Sequence, residues 1–571
     1  MWRGETASSA SRPLEAATVA ALRSMANRFG SADGPRKLAL LRTAAGGALC
    51  DMGLLVAYHD VLLYLLAYPA TAAMRSLASR ELARVAAATR EIETHGSARA
   101  RARLRGSGIA WSTITIAYSY PIARWLVSRY PRCAEVDSFG EGGALLAQWL
   151  RSALPSAEFE LLESLQDTPD ALLEAATTGW RRSRLAWLVA QFERLPSGPA
   201  LREAAYDSLH LFVALNPRDA PISRTFTRGL PAAPFYHRGP ILRGVDANRL
   251  IATPLPTARR LGRNACKQLV DAGRGVLAML GRETDPITHA DVARTRYYDL
   301  GRGVAIALFS ALPARRDPLD SHIGYLLSKN SVPVGYGGGW PFLGTCKIGI
   351  NIFAPFRGGE STFLMACVLR AYAQLFAVER FVVEPYQFGA GNREGLESGA
   401  FWFYFRLGFR PVESKLRAVA HDEFEQMRRN PGYRTSLSVL RRFTRSDLER
   451  PVLPGARAAC DPAALSRATT AWIGARFRGR RDRAEAVALS EVVAALGLKD
   501  ARGWNDDERH ALRAMAPVLA QISDLHAWPA RDKRRLAALV RAKGGDEYRY
   551  FALMAGFAQL RRGLNALAED S

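Results

Sequence analysis

From Pro13 to about Pro217, apolar residues recur every three or four positions. LEAATVAALRSMANRF, LLVAYHDVLLYLLAY, AAMRSLASRELARVAAATREIE, EGGALLAQWLRSAL and RRSRLAWLVAQFERL all carry this helical period, with Pro and Gly as punctuation. The pattern predicts a large all-α N-terminal region without a fixed-length repeat. NPRDAPISRTFTRGLPAAPFYHRGPILRG (Asn216 to Gly244) breaks the rhythm, because its prolines and glycines suit neither a helix nor a central strand. It predicts a long connector, after which ARRLGRNACKQLVDAGRGVLAML returns to the helical period.

Between Gly303 and Val412 the period changes to mixed strand and helix. GVAIALFSAL reads as a strand, and HIGYLLSKNSVPVGYGGGW as two strands around a tight turn at Lys329-Asn330-Ser331. CKIGINIFAPF reads as a third antiparallel strand, with Ile348, Ile350 and Ile352 on its buried side. A long helix, STFLMACVLRAYAQLF, follows at once; then come a parallel strand, ERFVVEPYQF, and a helical stretch ending at Gly408. Beyond a second linker, Pro451 to Pro462, the pattern is helical again. The expected fold is α+β: a mixed sheet with helices, flanked by a large all-α N-terminal region and a small all-α C-terminal region. The expected units are 1–215, 216–290, 291–425 and 426–571.

Composition adds little to this division. The 571 residues, 48% apolar and 23% charged, can fill about three cores of unequal size. Leu54 to Tyr68 is the most apolar stretch but carries His59 and Asp60, so it predicts a buried helix and not a membrane span. The first residues, MWRGETASSASRPLEA, do not resemble a secretory signal. Six scattered cysteines predict reduced thiols of a cytoplasmic protein, and neither they nor the nine histidines show metal-ligand spacing. The formal charge of +24 favours anionic partners such as nucleic acid, phospholipid or coenzyme A. Basic residues are nevertheless spread along the whole chain, which favours solvated arginines over one dedicated groove. The densest runs are Ala98 to Gly106, Ala475 to Arg483 and Arg531 to Lys543.

The chemistry is concentrated in FRGGESTF. A strand that ends in a glycine-rich turn and runs into a helix aims main-chain N–H groups and a helix N-terminus at one point. Gly358 and Gly359 allow close approach, and Arg357 adds a guanidinium fork suited to phosphate. Glu360 leaves two arrangements open. Its carboxylate either points away and leaves the amides free, or caps its own helix and closes the site.

Strand, Arg357-Gly358-Gly359-Glu360-Ser361-Thr362, long helix, strand, then Tyr404-Phe405-Arg406-Leu407-Gly408-Phe409 resembles the GNAT superfamily of acyl-CoA-dependent N-acyltransferases. The resemblance covers about a fifth of the chain, and it departs from the family's R-x-x-G-x-G/A pattern at Glu360 and Thr362. It implies acetyl-CoA or another acyl-CoA as cosubstrate, an amine acceptor that it does not identify, and no metal. Ile352, Phe353 and Ala354 would line the pantetheine arm, Arg357, Gly358, Gly359, Ser361 and Thr362 would hold the pyrophosphate, and Asn392 would meet the pantetheine amides. Tyr404 would be the general acid. Glu384 is the first candidate for the base and Glu397 the second. Each residue also has a plainer reading: Tyr404 as a core aromatic, Asn392 as a helix cap, the glutamates as surface ion pairs; Trp340, which could wall an acceptor pocket, reads first as a core tryptophan. Two further readings remain open at this stage, a GNAT-like scaffold without catalysis and a transferase that takes aminoacyl groups from tRNA.

Overall fold

A computed structural model describes residues 12–163, 168–453, 455, 460–498 and 501–569. The expectation about a signal therefore falls mostly outside the described residues, as does part of the second linker.

The N-terminal region is not all helical. Three short strands, β1 (Ile114–Ala117), β2 (Ala134–Phe139) and β3 (Leu211–Leu215), form an antiparallel sheet in the order β1-β3-β2. Its buried side joins the helices Tyr120–Arg129 and Arg184–Arg194 in a core of their own, with Val136, Leu188 and Val213 fully enclosed. Helical periodicity dominates because these strands have four to six residues each and stand between longer helices.

The main sheet has eight strands. β4 (Arg296–Gly301), β5 (Val304–Phe309), β6 (Ile323–Lys329), β7 (Val332–Phe342) and β8 (Thr345–Ile352) run antiparallel, each beside the next. The turn between β6 and β7 places Asn330 and Ser331 at φ 48° and 66°, the left-handed pair that a two-residue hairpin requires. β9 (Arg380–Val383) lies parallel to β8. β10 (Arg410–Pro411) and β11 (Leu448–Pro451) complete the order β10-β11-β9-β8-β7-β6-β5-β4. β4 and β11 are absent from the sequence reading, so the C-terminal part is not purely helical: Leu448–Pro451 pairs antiparallel with β9.

One face of the sheet carries the helix Ser361–Leu375, whose Tyr372 phenol donates to the Ile323 carbonyl. The opposite face meets Pro286 and Ile287, and there Gly324 leaves room for the proline ring. The connector is a strap and not a free linker. Gly229 N–H donates to the Ser331 carbonyl at 2.8 Å, and His237 N–H to the Pro69 carbonyl at 2.9 Å. The Asn330 side chain closes the junction by donating to the Ala67 and Phe235 carbonyls. The C-terminal helices are fastened near the start of β6, where buried Lys543 donates to Asp320 O, Ser321 Oγ and Glu547 Oε1. Among the described residues no helix is long and apolar enough to cross a membrane, and all six cysteines are free.

The glycine-rich strand β7 is a packing solution. A Cβ on Gly337 would stand 2.3 Å from the Gly349 carbonyl and 2.4 Å from the Tyr325 hydroxyl. Gly337→Ala is expected to destabilise the protein by about 1–3 kcal/mol. Gly474→Ala, in a helix with nothing within 4 Å of the new carbon, should be neutral or slightly stabilising. Urea midpoints of the two variants check the contrast.

Candidate functional site

The site follows from how β8 leaves β9. Parallel pairing covers only Thr345, Cys346 and Lys347 against Arg380, Phe381 and Val382. β8 then continues to Ile352, still paired with β7, whereas β9 ends at Val383 and turns through Pro385–Phe388. The two strands therefore part beside Ile348–Ile352. Tyr404, on the helix Ala400–Arg406, is fully buried here. Burial pushes its phenol well above the ordinary range, and the neighbouring Ile350 main chain opposes that shift. The group is accordingly a protonated phenol at neutral pH. On the other face of β8, the Gln387 amide covers Gly349 so closely that a Cβ there would be 2.8 Å away.

The turn after β8 resolves the question raised by Glu360. Its carboxylate makes no cap bond to its own helix and is wholly buried. It accepts from Lys329 Nζ at 2.8 Å, from Arg302 at 2.8 Å and from the Leu242 amide at 3.0 Å. Burial alone would raise its pKa, but Lys329, the Leu242 amide and Arg302 together hold it below the usual carboxylate range. Burial also brings Lys329 down to about 8, against the pull of Glu360. With the acid turned inward, the amides of Gly358, Ser361, Thr362 and Phe363 make no hydrogen bond among the described residues. Arg357 and Gly358 are exposed, and Ser361 and Thr362 are half-buried.

Other groups crowd the turn. Tyr68 places its hydroxyl 3.5 Å from the Glu360 amide, and Asn27 donates to the Gly358 carbonyl at 3.2 Å. Arg357 donates to the Ile352 carbonyl and pairs with Glu394. Ile352 and Phe353 are buried and Ala354 exposed.

The remaining predicted residues are divided. Glu384 stands at the end of β9, half-exposed and 3.0 Å from Lys347. Glu397 is in an exposed helical ion pair with Arg393. Asn392 performs the plainer of its two roles, capping the helix Arg393–Glu397 through the Gly395 amide and donating to the Tyr386 carbonyl. Trp340 is not a core residue: it is 37% exposed and stacks on His322 at 3.9 Å. His322 in turn lines a cleft of about 520 Å³ with Glu203, Asp207, Glu283, Asp285 and Arg315, the last paired with Glu203. The structure thus gathers Tyr404, the turn and the end of β8. The sequence reading missed Lys329, Arg302, Tyr68 and Gln387. Only Lys329 gave a local signal there, a lysine at a strand end beside a tight turn, and spacing cannot reveal a partner 31 positions away.

Among the described residues, no group of three or more His, Cys, Asp or Glu side chains is arranged to hold a metal ion. Compared with protein-family models, curated proteins and solved structures, the chain finds no match.

Glu360→Gln leaves Lys329 buried with a weakened partner and should cost about 3–5 kcal/mol, whereas Glu360→Gln with Lys329→Met should recover a large part of that loss. The folded-state pKa of Glu360 is depressed, so its contribution exists above the ordinary carboxylate range and fades as pH falls below it. The single variant should therefore lose stability less steeply in acid than the parent. Chemical denaturation between pH 3 and 7 measures both effects.

Proposed function

We propose that this chain is an N-acyltransferase that moves an acyl group, acetyl in the first instance, from acyl-CoA to an amine. The observation that carries this reading is the set of unpaired amides after β8, left open because the Glu360 carboxylate is turned into the protein. The sheet order supports a GNAT-like layer: antiparallel strands, a turn and helix after β8, parallel β9, and β11 set between β9 and β10.

In this reading the diphosphate rests on the amides of Gly358, Ser361 and Thr362, and Arg357 exchanges Glu394 for phosphate. The pantetheine arm follows Ile348–Ile352 where β8 and β9 part, which requires Gln387 to swing off Gly349. The amine nitrogen attacks the thioester carbonyl carbon while a strand amide polarises the oxygen. Glu384 takes the amine proton, directly or through water. The C–S bond breaks as the amide forms, and Tyr404 returns a proton to the departing thiolate. A phenol held protonated by burial suits that last step. The acid-lined cleft around His322 lies on the Lys347 and Glu384 side of the sheet, because Trp340 is the cross-strand neighbour of Lys347. Its carboxylates would draw a cationic acceptor.

A second reading, a GNAT-like scaffold without catalysis, is favoured by one contact: Gln387 fills the space above Gly349 that a cofactor arm would need. Calorimetric titration with acetyl-CoA separates the two, since the scaffold gives no heat at sub-millimolar protein. For the enzyme, Arg357→Ala should weaken acetyl-CoA binding about tenfold. Tyr404→Phe should preserve binding but slow thiol release in the presence of primary amines about 100-fold or more. Full turnover by Tyr404→Phe would remove the phenol from the chemistry.

A further inference from the structure

The positive charge has a focus away from the acyltransferase layer. The basic runs conspicuous in the sequence are partly spent on the protein itself. Arg476 pairs with Glu491, Arg541 with Glu508, and Arg535 binds the Leu553 and Ala555 carbonyls. Lys543 is buried against Glu547.

The small three-stranded unit is different. An open cleft of about 940 Å³ beside β2 and β3 is lined by Arg132, the adjacent pair Arg181 and Arg182, and Arg218, brought together from three separate parts of the chain. None of these four guanidinium groups has a hydrogen-bond or ion-pair partner among the described residues, and all four residues are exposed. Two acids share the cleft, and both are engaged. Glu93 accepts from the Thr113 hydroxyl, and Glu135 accepts from the Val136 and Arg184 amides with the Arg184 guanidinium 3.8 Å away. Trp180, immediately before the Arg181-Arg182 pair, is 41% exposed, with its indole N–H tied to the Ser183 carbonyl.

We propose that this cleft binds single-stranded nucleic acid, with the four arginines on successive phosphates and Trp180 stacking on a base. Its volume far exceeds one phosphate, and its guanidinium groups are spread around a concavity. A membrane surface would call for basic groups on a flat or protruding face with apolar side chains beside them. An unpaired arginine cluster next to an exposed tryptophan provides the two elements of sequence-tolerant single-strand binding, charge for the backbone and an aromatic plane for the base. The proposal is independent of the acyltransferase reading, because the cleft shares no residue with β8 or its turn.

Fluorescence anisotropy of a labelled 20-nucleotide single-stranded RNA, titrated with the full chain over a range of salt, tests it. Four phosphate contacts predict a slope of log K against log salt near −2.8, about −0.7 per contact for single strands. Arg132→Ala with Arg181→Ala and Arg182→Ala should flatten the slope by about 2, leaving the melting temperature and the acetyl-CoA titration unchanged. Trp180→Ala should weaken binding about fivefold or more while leaving the slope intact. The proposal is overturned if the parent does not bind at low salt, if the triple variant keeps the parent's affinity and slope, or if duplex DNA or phosphatidylserine vesicles compete as well as the unlabelled single strand.

Discussion

The arrangement of the candidate site depends on one buried charge cluster. Glu360, Lys329 and Arg302 come from the turn after β8, the end of β6 and the loop between β4 and β5; Glu360 and Lys329 are wholly buried, and Arg302 reaches them from a partly exposed position. Isolated there, the buried carboxylate or the buried ammonium would cost several kcal/mol. Joined, and supplemented by the Leu242 amide, they bring the turn, the hairpin and the connector to a common point. A carboxylate at the N-terminus of a helix ordinarily serves that helix. Here the opposing cations outcompete the helix end, and the consequence is a turn with open amides.

The rest of the layer is built around that fixed point. The Asn330 side chain binds the end of the helix Met52–Ala67 and the connector beside the same hairpin, so the N-terminal helices reach the turn through Tyr68 and Asn27. β8 is held along its length by β7 and released early by β9, which opens the sheet on the side where Tyr404 is buried. The site is thus flanked by rigid strands on one side and, on the other, by the short Pro385–Phe388 turn that carries Gln387. That turn narrows the gap, because its Gln387 covers Gly349.

How much of this was legible in the sequence depends on how local each signal is. The hairpin at Lys329-Asn330-Ser331, strand β8, the helix after it and strand β9 were readable because alternation, turn residues and helical spacing act within a few positions. β4 and β11 were missed because charged residues interrupt their apolar pattern, Arg296 and Asp299 in the one and Glu449 and Arg450 in the other. β1 to β3 were missed because they stand between longer helices whose period dominates, which turned an α/β unit into an apparent helical array. The turn itself was legible from Arg357-Gly358-Gly359 as a glycine-rich bend between a strand and a helix. The orientation of Glu360 was not, since it is decided by Lys329 and Arg302, 31 and 58 positions away. Asn392 shows the reverse: a residue assigned by resemblance to a ligand proves to be engaged in local capping, as its place ahead of a short helix already allowed.

Hydrogen–deuterium exchange of the full chain with and without saturating acetyl-CoA addresses the central claim directly, because it reads the amides on which everything else rests. The account predicts slowed exchange confined mainly to Ile348–Ile352 and to Gly358–Phe363. Unchanged exchange across both segments, at concentrations where other parts of the chain respond to the nucleotide, would contradict it.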